Sequence, residues 1–188
     1  MYAQCLKRLV DCAAAILLLL CLSPVLALTA IAIRLDDGGA ALFVQRRIGR
    51  EGVAFRIYKF RSMPVGTPNV PSASAVTLKI TRIGKFIRRT NIDELPQLWN
   101  VLRGDMSLIG PRPALPSQTS LLELRQQKGI SRLRPGLTGL AQVNSYDGMP
   151  EGEKLGWEER YVHDVSLSQD LIILLRTVGY LFRRPPAY

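Results

Sequence analysis

Residues 9 to 33, LVDCAAAILLLLCLSPVLALTAIAI, are apolar apart from Asp11 and a few small polar side chains. At about 1.5 Å rise per residue a helix of this length crosses the ~30 Å hydrocarbon core of a bilayer. A cleaved signal peptide fits poorly, because the apolar run is long for such a leader and no small-x-small site closes it. Ser23-Pro24 sits at the middle of the run. Proline removes a backbone donor and crowds the preceding turn, so the sequence predicts a helix, a break and a second helix. Lys7 and Arg8 precede the segment, and Arg34, Arg46, Arg47 and Arg50 follow it. Cations at both ends give the positive-inside rule no preferred orientation. Two topologies are open on these residues. One spans the bilayer. The other enters one leaflet, breaks at Ser23-Pro24 and returns, with Ser23 Oγ as a candidate partner for the backbone groups that the proline frees.

Nothing else in the 188 residues is long and apolar enough to span, and 188 residues suffice for one domain with a modest core. The division expected is 1–35 for the membrane segment and 36–188 for a membrane-associated catalytic domain. The formal charge of +10 suits a polyanionic partner: nucleic acid, an anionic membrane surface or phosphorylated substrates. Aromatic residues are only 7% of the chain and no RNA-type stacking motif is present, which argues against nucleic acid. Cys5, Cys12 and Cys21 lie in or beside the apolar run without CxxC spacing, and read as packing or lipid-facing residues. His163 is the single histidine, which disfavours a zinc site or a Ser-His hydrolase.

The remaining pattern predicts an α+β fold, mainly helical. Residues 41–60 read as two short strands forming a β-hairpin through a turn at IGREG, with imperfect alternation of Phe55, Ile57 and Phe60 against Arg56 and Lys59. Residues 62–78, with Pro64, Pro68 and Pro71, read as an irregular loop. Ile83, Phe86 and Ile87, then Leu95, Leu98, Val101 and Leu102, recur at helical spacing and predict two short helices jointed near Thr90-Asn91. A polar helix over 117–128, a glycine-rich loop and strand-like run over 134–144, and a helix over 151–165 follow. The C-terminal stretch is apolar at Leu171, Ile172, Leu174, Leu175, Val178, Leu181 and Phe182 and ends in Arg183-Arg184; it suits either an interfacial amphipathic helix or a packed core helix.

The stretch TNIDELPQLWNVLRGDMSLIGPRP, residues 90–113, sets Asp93 and Glu94 side by side ahead of Pro96. A capping box, with Asn91 as N-cap and Glu94 at the third position, accounts for Glu94 and leaves Asp93 unexplained. Chemistry is the other explanation. Arg88 and Arg89 lie just upstream, and Lys59, Arg103 and Arg112 are candidates to approach in space; clusters of this kind bind phosphate oxygens. A carboxylate beside a phosphate site either holds a divalent cation or attacks phosphorus. Adjacent helical residues diverge by about 100°, so a division of labour is expected, one acid attacking and the other binding metal or orienting.

YKFRSM (58–63), IDELPQLWNVLRGDMSLIGPRP (92–113) and RPGLTGLAQVN (134–144) closely resemble the bacterial sugar transferase family, and more narrowly its small monotopic phosphoglycosyl transferases. The resemblance runs nearly end to end and includes the Ser23-Pro24 break. It implies transfer of a sugar 1-phosphate from a UDP-sugar to undecaprenyl phosphate, with release of UMP, at the cytoplasmic face of the bacterial inner membrane and with Mg²⁺ as cofactor. It implies that the N-terminal segment is re-entrant. It implies Asp93 as the nucleophile that becomes a phosphosugar ester, Glu94 as support for the metal, and Asp93 and Glu94 together as the metal-side acids. Lys59, Arg88, Arg112, Gln142 and Asn144 match positions implied to contact phosphate or substrate. Asp105 has a weaker claim beside its reading as a turn residue after Gly104.

The chain departs from the family pattern after Asn144. Where many members continue QVN with Gly-Arg, residues 142–149 read QVNSYDGM, so an arginine able to contact the nucleotide-sugar is absent there and the 138–150 loop is expected to help select the sugar. A basic flank followed by one membrane segment points to a small enzyme rather than a domain cut from a multi-span protein. The competing reading, a membrane-tethered basic adaptor for anionic lipid, accounts for the charge and the anchor but not for Asp93-Glu94 or the IGPRP loop. Neither reading specifies the sugar, the glycan or the oligomeric state.

Overall fold

The computed structural model describes residues 2, 6–67, 79–146 and 149–181. Cys5, Pro68, Pro71, Asp147, Gly148, Phe182, Arg183 and Arg184 lie outside the described residues. The architecture is the expected one, mainly helical with a short hairpin. Helix α1 (Lys7–Asp37) is followed by strands β1 (Leu42–Ile48) and β2 (Ala54–Phe60), helices α2 (Arg82–Arg89) and α3 (Gln97–Arg103), strand β3 (Ser107–Ile109) and helix α4 (Thr119–Gln127). Strand β4 (Gly136–Thr138) and helices α5 (Leu140–Val143), α6 (Glu151–His163) and α7 (Leu167–Leu181) complete it.

Helix α1 is one element of 31 residues, with a mean hydropathy of 2.7 over its most apolar window, long and apolar enough to cross a membrane. Residues 7–37 form one helical element that includes Pro24. Pro24 has no N–H to offer the Leu20 carbonyl four residues back, and Ser23 Oγ donates to that oxygen at 2.9 Å instead. One side of α1 is packed along its length, with Leu19 and Leu26 partly buried between fully buried ends. Asp11 and Ala15 are buried near one end, Thr29 and Ile33 near the other, and between them Leu17, Leu20 and Leu28 are each more than 60% exposed. Asp11, the one acid inside the apolar run, accepts from Ser107 Oγ at 2.7 Å and from the Leu108 amide at 3.3 Å, which ties the helix to β3.

Strands β1 and β2 pair antiparallel, from Leu42 opposite Phe60 to Ile48 opposite Ala54. The imperfect alternation of β2 has a structural cause: its apolar residues serve two cores. Ile57 joins Ala15, Leu98, Val101, Met106, Tyr161 and Ile173 in the main core, whereas Phe60 packs with Ile33, Ala41 and Ile87 in a second cluster. Asn100 locks α3 to this strand. It is fully buried, its Nδ2 donates to the Arg56 carbonyl at 2.7 Å, and its Oδ1 accepts from the Tyr58 amide at 3.2 Å. Asn100→Ala strands both backbone groups of β2, so a loss of about 2–6 kcal/mol is expected in chemical denaturation, at about 1–3 kcal/mol per unsatisfied group. A loss below ~0.5 kcal/mol would mean that β2 finds other partners.

The IGPRP and RPGLTG motifs form one unit. Strands β3 and β4 run parallel, Ser107 beside Gly136 and Ile109 beside Thr138, a strand that the sequence pattern did not announce at 107–109. Glycine is required at the contact: a Cβ on Gly136 would lie 2.1 Å from the Gly110 nitrogen, and one on Gly139 would lie 2.1 Å from the Gly110 oxygen. The C-terminal helix α7 divides its apolar residues. Ile173 is fully buried, while Leu171, Ile172, Leu175 and Val178 remain 45–74% exposed, so the helix is both packed and left with an uncovered apolar face.

Candidate active site

Asp93 and Glu94 occupy a single 3₁₀ turn, Ile92–Glu94, between α2 and α3. The capping box expected there does not form. Asn91 adopts the left-handed conformation (φ 54°) rather than the extended one an N-cap needs, and its side chain caps nothing. Asparagine tolerates this region, and the reversal it produces turns the chain out of α2. Glu94 is thereby freed from a capping role, and Lys59 Nζ on β2 meets its Oε1 at 2.6 Å. Arg112, in the loop after β3, approaches the same oxygen at 3.7 Å. Arg88 donates through Nε to Ser62 Oγ at 2.7 Å, and its charge reaches Asp93.

These surroundings drive the two acids apart in acidity. Burial raises Asp93 from its ordinary 3.8 to about 6, the negative charge of Glu94 adds to the rise, and Lys59, Arg88 and Arg112 oppose it. Burial also acts to raise Glu94, but the charges of Lys59 and Arg112 and the Lys59 hydrogen bond outweigh it and hold Glu94 down at about 2. Near neutral pH Glu94 is a fixed anion and Asp93 is ionised but close to its titration midpoint. Paired groups with separated acidities are a common mark of divided chemical roles. A reaction that needs the Asp93 carboxylate loses rate as pH falls through about 6. The expected pH–rate profile therefore has an acid limb near 6, and a limb near 4 would remove Asp93 as the titrating group.

Two members of the site were missed in the sequence. Arg47 on β1 lies where burial and then Arg112 lower its guanidinium to about 10, and it donates through Nη1 to the Pro113 carbonyl at 3.1 Å. Gln97 at the start of α3 is 2% exposed. Its signal was present: Gln97 and Asn100 are polar residues three apart on the same buried face as Val101. Gln97 and Gln142 line one crevice together with Arg47, Lys59, Glu94 and Arg112. Gln97 Nε2, both amide atoms of Gln142 and Arg47 Nε make no hydrogen bond among the described residues. Buried polar groups of this kind are normally satisfied; acceptor oxygens of a ligand would satisfy the three nitrogen donors, and a ligand hydroxyl or N–H would satisfy Gln142 Oε1.

The other expected residues stand outside this crevice. Asn144 donates to the Leu140 carbonyl at 2.7 Å and accepts from Arg176 at 3.4 Å. Asp105 accepts from Asn100 at 3.2 Å and pairs with Arg103 at 3.4 Å, which is its reading as a turn residue; Arg103 goes to Asp105 and not to the acids. Among the described residues no group of three or more His, Cys, Asp or Glu side chains could enclose a metal ion. Mg²⁺ is commonly held by one or two carboxylates and completed by substrate phosphates, so Asp93 and Glu94 meet its requirement in the presence of a phosphorylated ligand.

A fold that lines one crevice with Glu94, three cations and buried amides, with Asp93 in the adjoining turn and a long apolar helix in the same chain, is suited to a phosphorylated ligand. The bacterial sugar transferase profile matches residues 2–184, and the chain belongs to that family. It is 42% identical to the UDP-glucose:undecaprenyl-phosphate glucose-1-phosphate transferase of Caulobacter vibrioides, over 97% of this chain and 72% of the relative. It is 38% identical to the UDP-galactose-lipid carrier transferase of Erwinia amylovora, over 97% of this chain but only 42% of that protein. An uncharacterized sugar transferase of Bacillus subtilis is 40% identical over 92% of this chain and 85% of its own length.

Proposed function

We propose that this protein transfers a sugar 1-phosphate from a UDP-sugar to undecaprenyl phosphate and releases UMP. The observation that carries the reading is the Asp93-Glu94 pair, split in acidity and set among Lys59, Arg47, Arg88 and Arg112 within a chain of this family. Names of relatives that act on UDP-glucose or undecaprenyl phosphate supply the substrate class.

In this mechanism an Asp93 carboxylate oxygen attacks the phosphorus next to the sugar. The bond from that phosphorus to the bridging oxygen breaks, and UMP leaves with the bonding electrons. An oxygen of the lipid phosphate then attacks the same phosphorus, and the Asp93 carboxylate departs unchanged. Two anions thus never need to occupy the crevice at once. Lys59, Arg112 and Arg47 offset charge on the transferring group, and the Gln97 and Gln142 amides orient its oxygens. Glu94, kept ionised, would hold Mg²⁺ together with the phosphates of the substrate. The bound ion would supply neutralisation of the diphosphate.

The membrane arrangement follows the same reading. One side of α1 packs against the domain, fully at Asp11, Ala15, Thr29 and Ile33 and partly at Leu19 and Leu26, while Leu17, Leu20 and Leu28 are exposed. A helix crossing the bilayer carries its far end away from a domain on the near side. Contact along this side supports a segment that stays with the domain in one leaflet, at the cytoplasmic face. Exposed Phe86, Trp99, Leu175 and Val178 would lie at the headgroup boundary.

The test is UMP release from a panel of UDP-hexoses, UDP-N-acetylhexosamines and UDP-dideoxy-diamino sugars, with and without undecaprenyl phosphate and Mg²⁺. With the right donor and no lipid acceptor, intact-mass analysis should show the protein heavier by one sugar phosphate, and kinetics should be ping-pong. An obligatory ternary complex, or the absence of the adduct in protein that is turning over, overturns the covalent step.

A further inference from the structure

A second concavity, of about 220 Å³, lies beside the crevice and was not part of the sequence-based site. Its walls come from the hairpin turn, the loop after β3, α4 and the segment leading to β4, and none of the residues lining it belongs to α1. Arg112 lines both the crevice and this cavity. A ligand with its phosphates on Lys59 and Arg112 has this cavity within reach past Arg112.

We propose that this cavity is the subsite for the nucleoside half of the donor, and so for the uridine of the UMP product; the inference rests on the transferase reading. Three features select a nucleoside. The size, just under the ~300 Å³ lower range of sites for whole small molecules, suits one moiety rather than an entire nucleotide-sugar. Ile48, Pro111, Leu122, Ile130, Leu133 and Pro135 give apolar walls. A pyrimidine ring has two apolar faces and a polar edge, whereas a hexose presents hydroxyls around its whole rim and would bury several of them against these walls. The charges agree. Arg125 is committed to Glu158 by a two-pronged contact, Nε to Oε2 at 2.8 Å and Nη2 to Oε1 at 2.5 Å, which leaves Arg112 as the cation at the entrance. Glu51, also in the lining, disfavours a second anion and is able to accept hydrogen bonds from neutral donors such as ribose hydroxyls. Ser131 and Gln126 offer polar partners for the edge of a base.

The test uses the full chain in detergent micelles, with UMP as the probe. Ser131→Trp, and independently Gln126→Trp, should fill the cavity. Each is first checked by its melting curve, and the variant that melts like the wild type is used. Product inhibition by UMP should weaken about tenfold or more, a difference of about 1.4 kcal/mol or more. The donor KM should rise in step, with the KM for undecaprenyl phosphate unmoved. Unchanged UMP inhibition in a folded variant overturns the assignment. A change in preference among UDP-sugars without any change in UMP inhibition also overturns it, and gives the cavity to the sugar. If no UDP-sugar supports turnover, the transferase reading falls separately, and calorimetry of UMP against wild type and variant decides the inference: binding lost in the variant supports it, and equal or absent binding overturns it.

Discussion

Asp93→Asn is expected to cut turnover by roughly 10³-fold or more, the scale seen when a covalent nucleophile is removed, while raising the melting temperature at pH 8. The two effects share a cause. Burial and the neighbouring Glu94 charge raise Asp93 from 3.8 to about 6. A carboxyl whose folded value is raised binds its proton more tightly in the folded state, so ionising it costs stability. That cost is absent below about 3.8, grows as pH rises, and is complete above about 6. Asparagine has no such charge. The variant's advantage should be largest at pH 8 and fade toward pH 4. Differential scanning measurements across that range, beside UMP-release assays, check both halves. A variant that retains near-normal turnover removes Asp93 as nucleophile. A variant less stable than wild type at pH 8 means that the carboxylate is better solvated or paired than its surroundings indicate.

The second large effect is structural and lies away from the acids. Arg125 on α4 and Glu158 on α6 are a buried pair, with side chains 10% and 6% exposed and fork-to-fork geometry. Removing one partner leaves the other charge buried and alone. Glu158→Ala is expected to lose about 3–5 kcal/mol in chemical denaturation. Replacing both, Arg125→Met with Glu158→Leu, should restore most of that loss, because two apolar side chains carry no desolvation penalty. Equal losses in the single and double variants would show that packing, not charge, holds α4 to α6. Since α4 walls the cavity assigned to the nucleoside, the single variant should also raise the donor KM.

Much of the fold was legible because its causes are local. The hairpin is written in residues 41–60, the joint between α2 and α3 in Thr90-Asn91, and the last two helices in their 3.6-residue periodicity. Local rules also misled. They offered a capping box at Asn91 and Glu94, but Lys59, 35 residues earlier in the chain, claims the Glu94 carboxylate at 2.6 Å. At Pro24 the local reading held: the Ser23 hydroxyl serves the orphaned Leu20 carbonyl, as its position offered. Asp11 read only as an odd acid in an apolar run until β3 came to meet it.

The sequence by itself determined most of the element types, though not strand β3, the long apolar helix and the motifs that place the chain among bacterial sugar transferases, since apolar period, turn residues and ordered motifs are properties of contiguous residues. Only the tertiary structure decided which charges share a crevice, that Arg47 and Gln97 join Lys59, Arg112 and Gln142 there, and that Asp93 and Glu94 differ in acidity. The physical reason is range. Burial and the pairing of charges depend on which distant segments pack together, and a shift of a few ångströms in the low-dielectric interior changes an interaction that no spacing along the chain records.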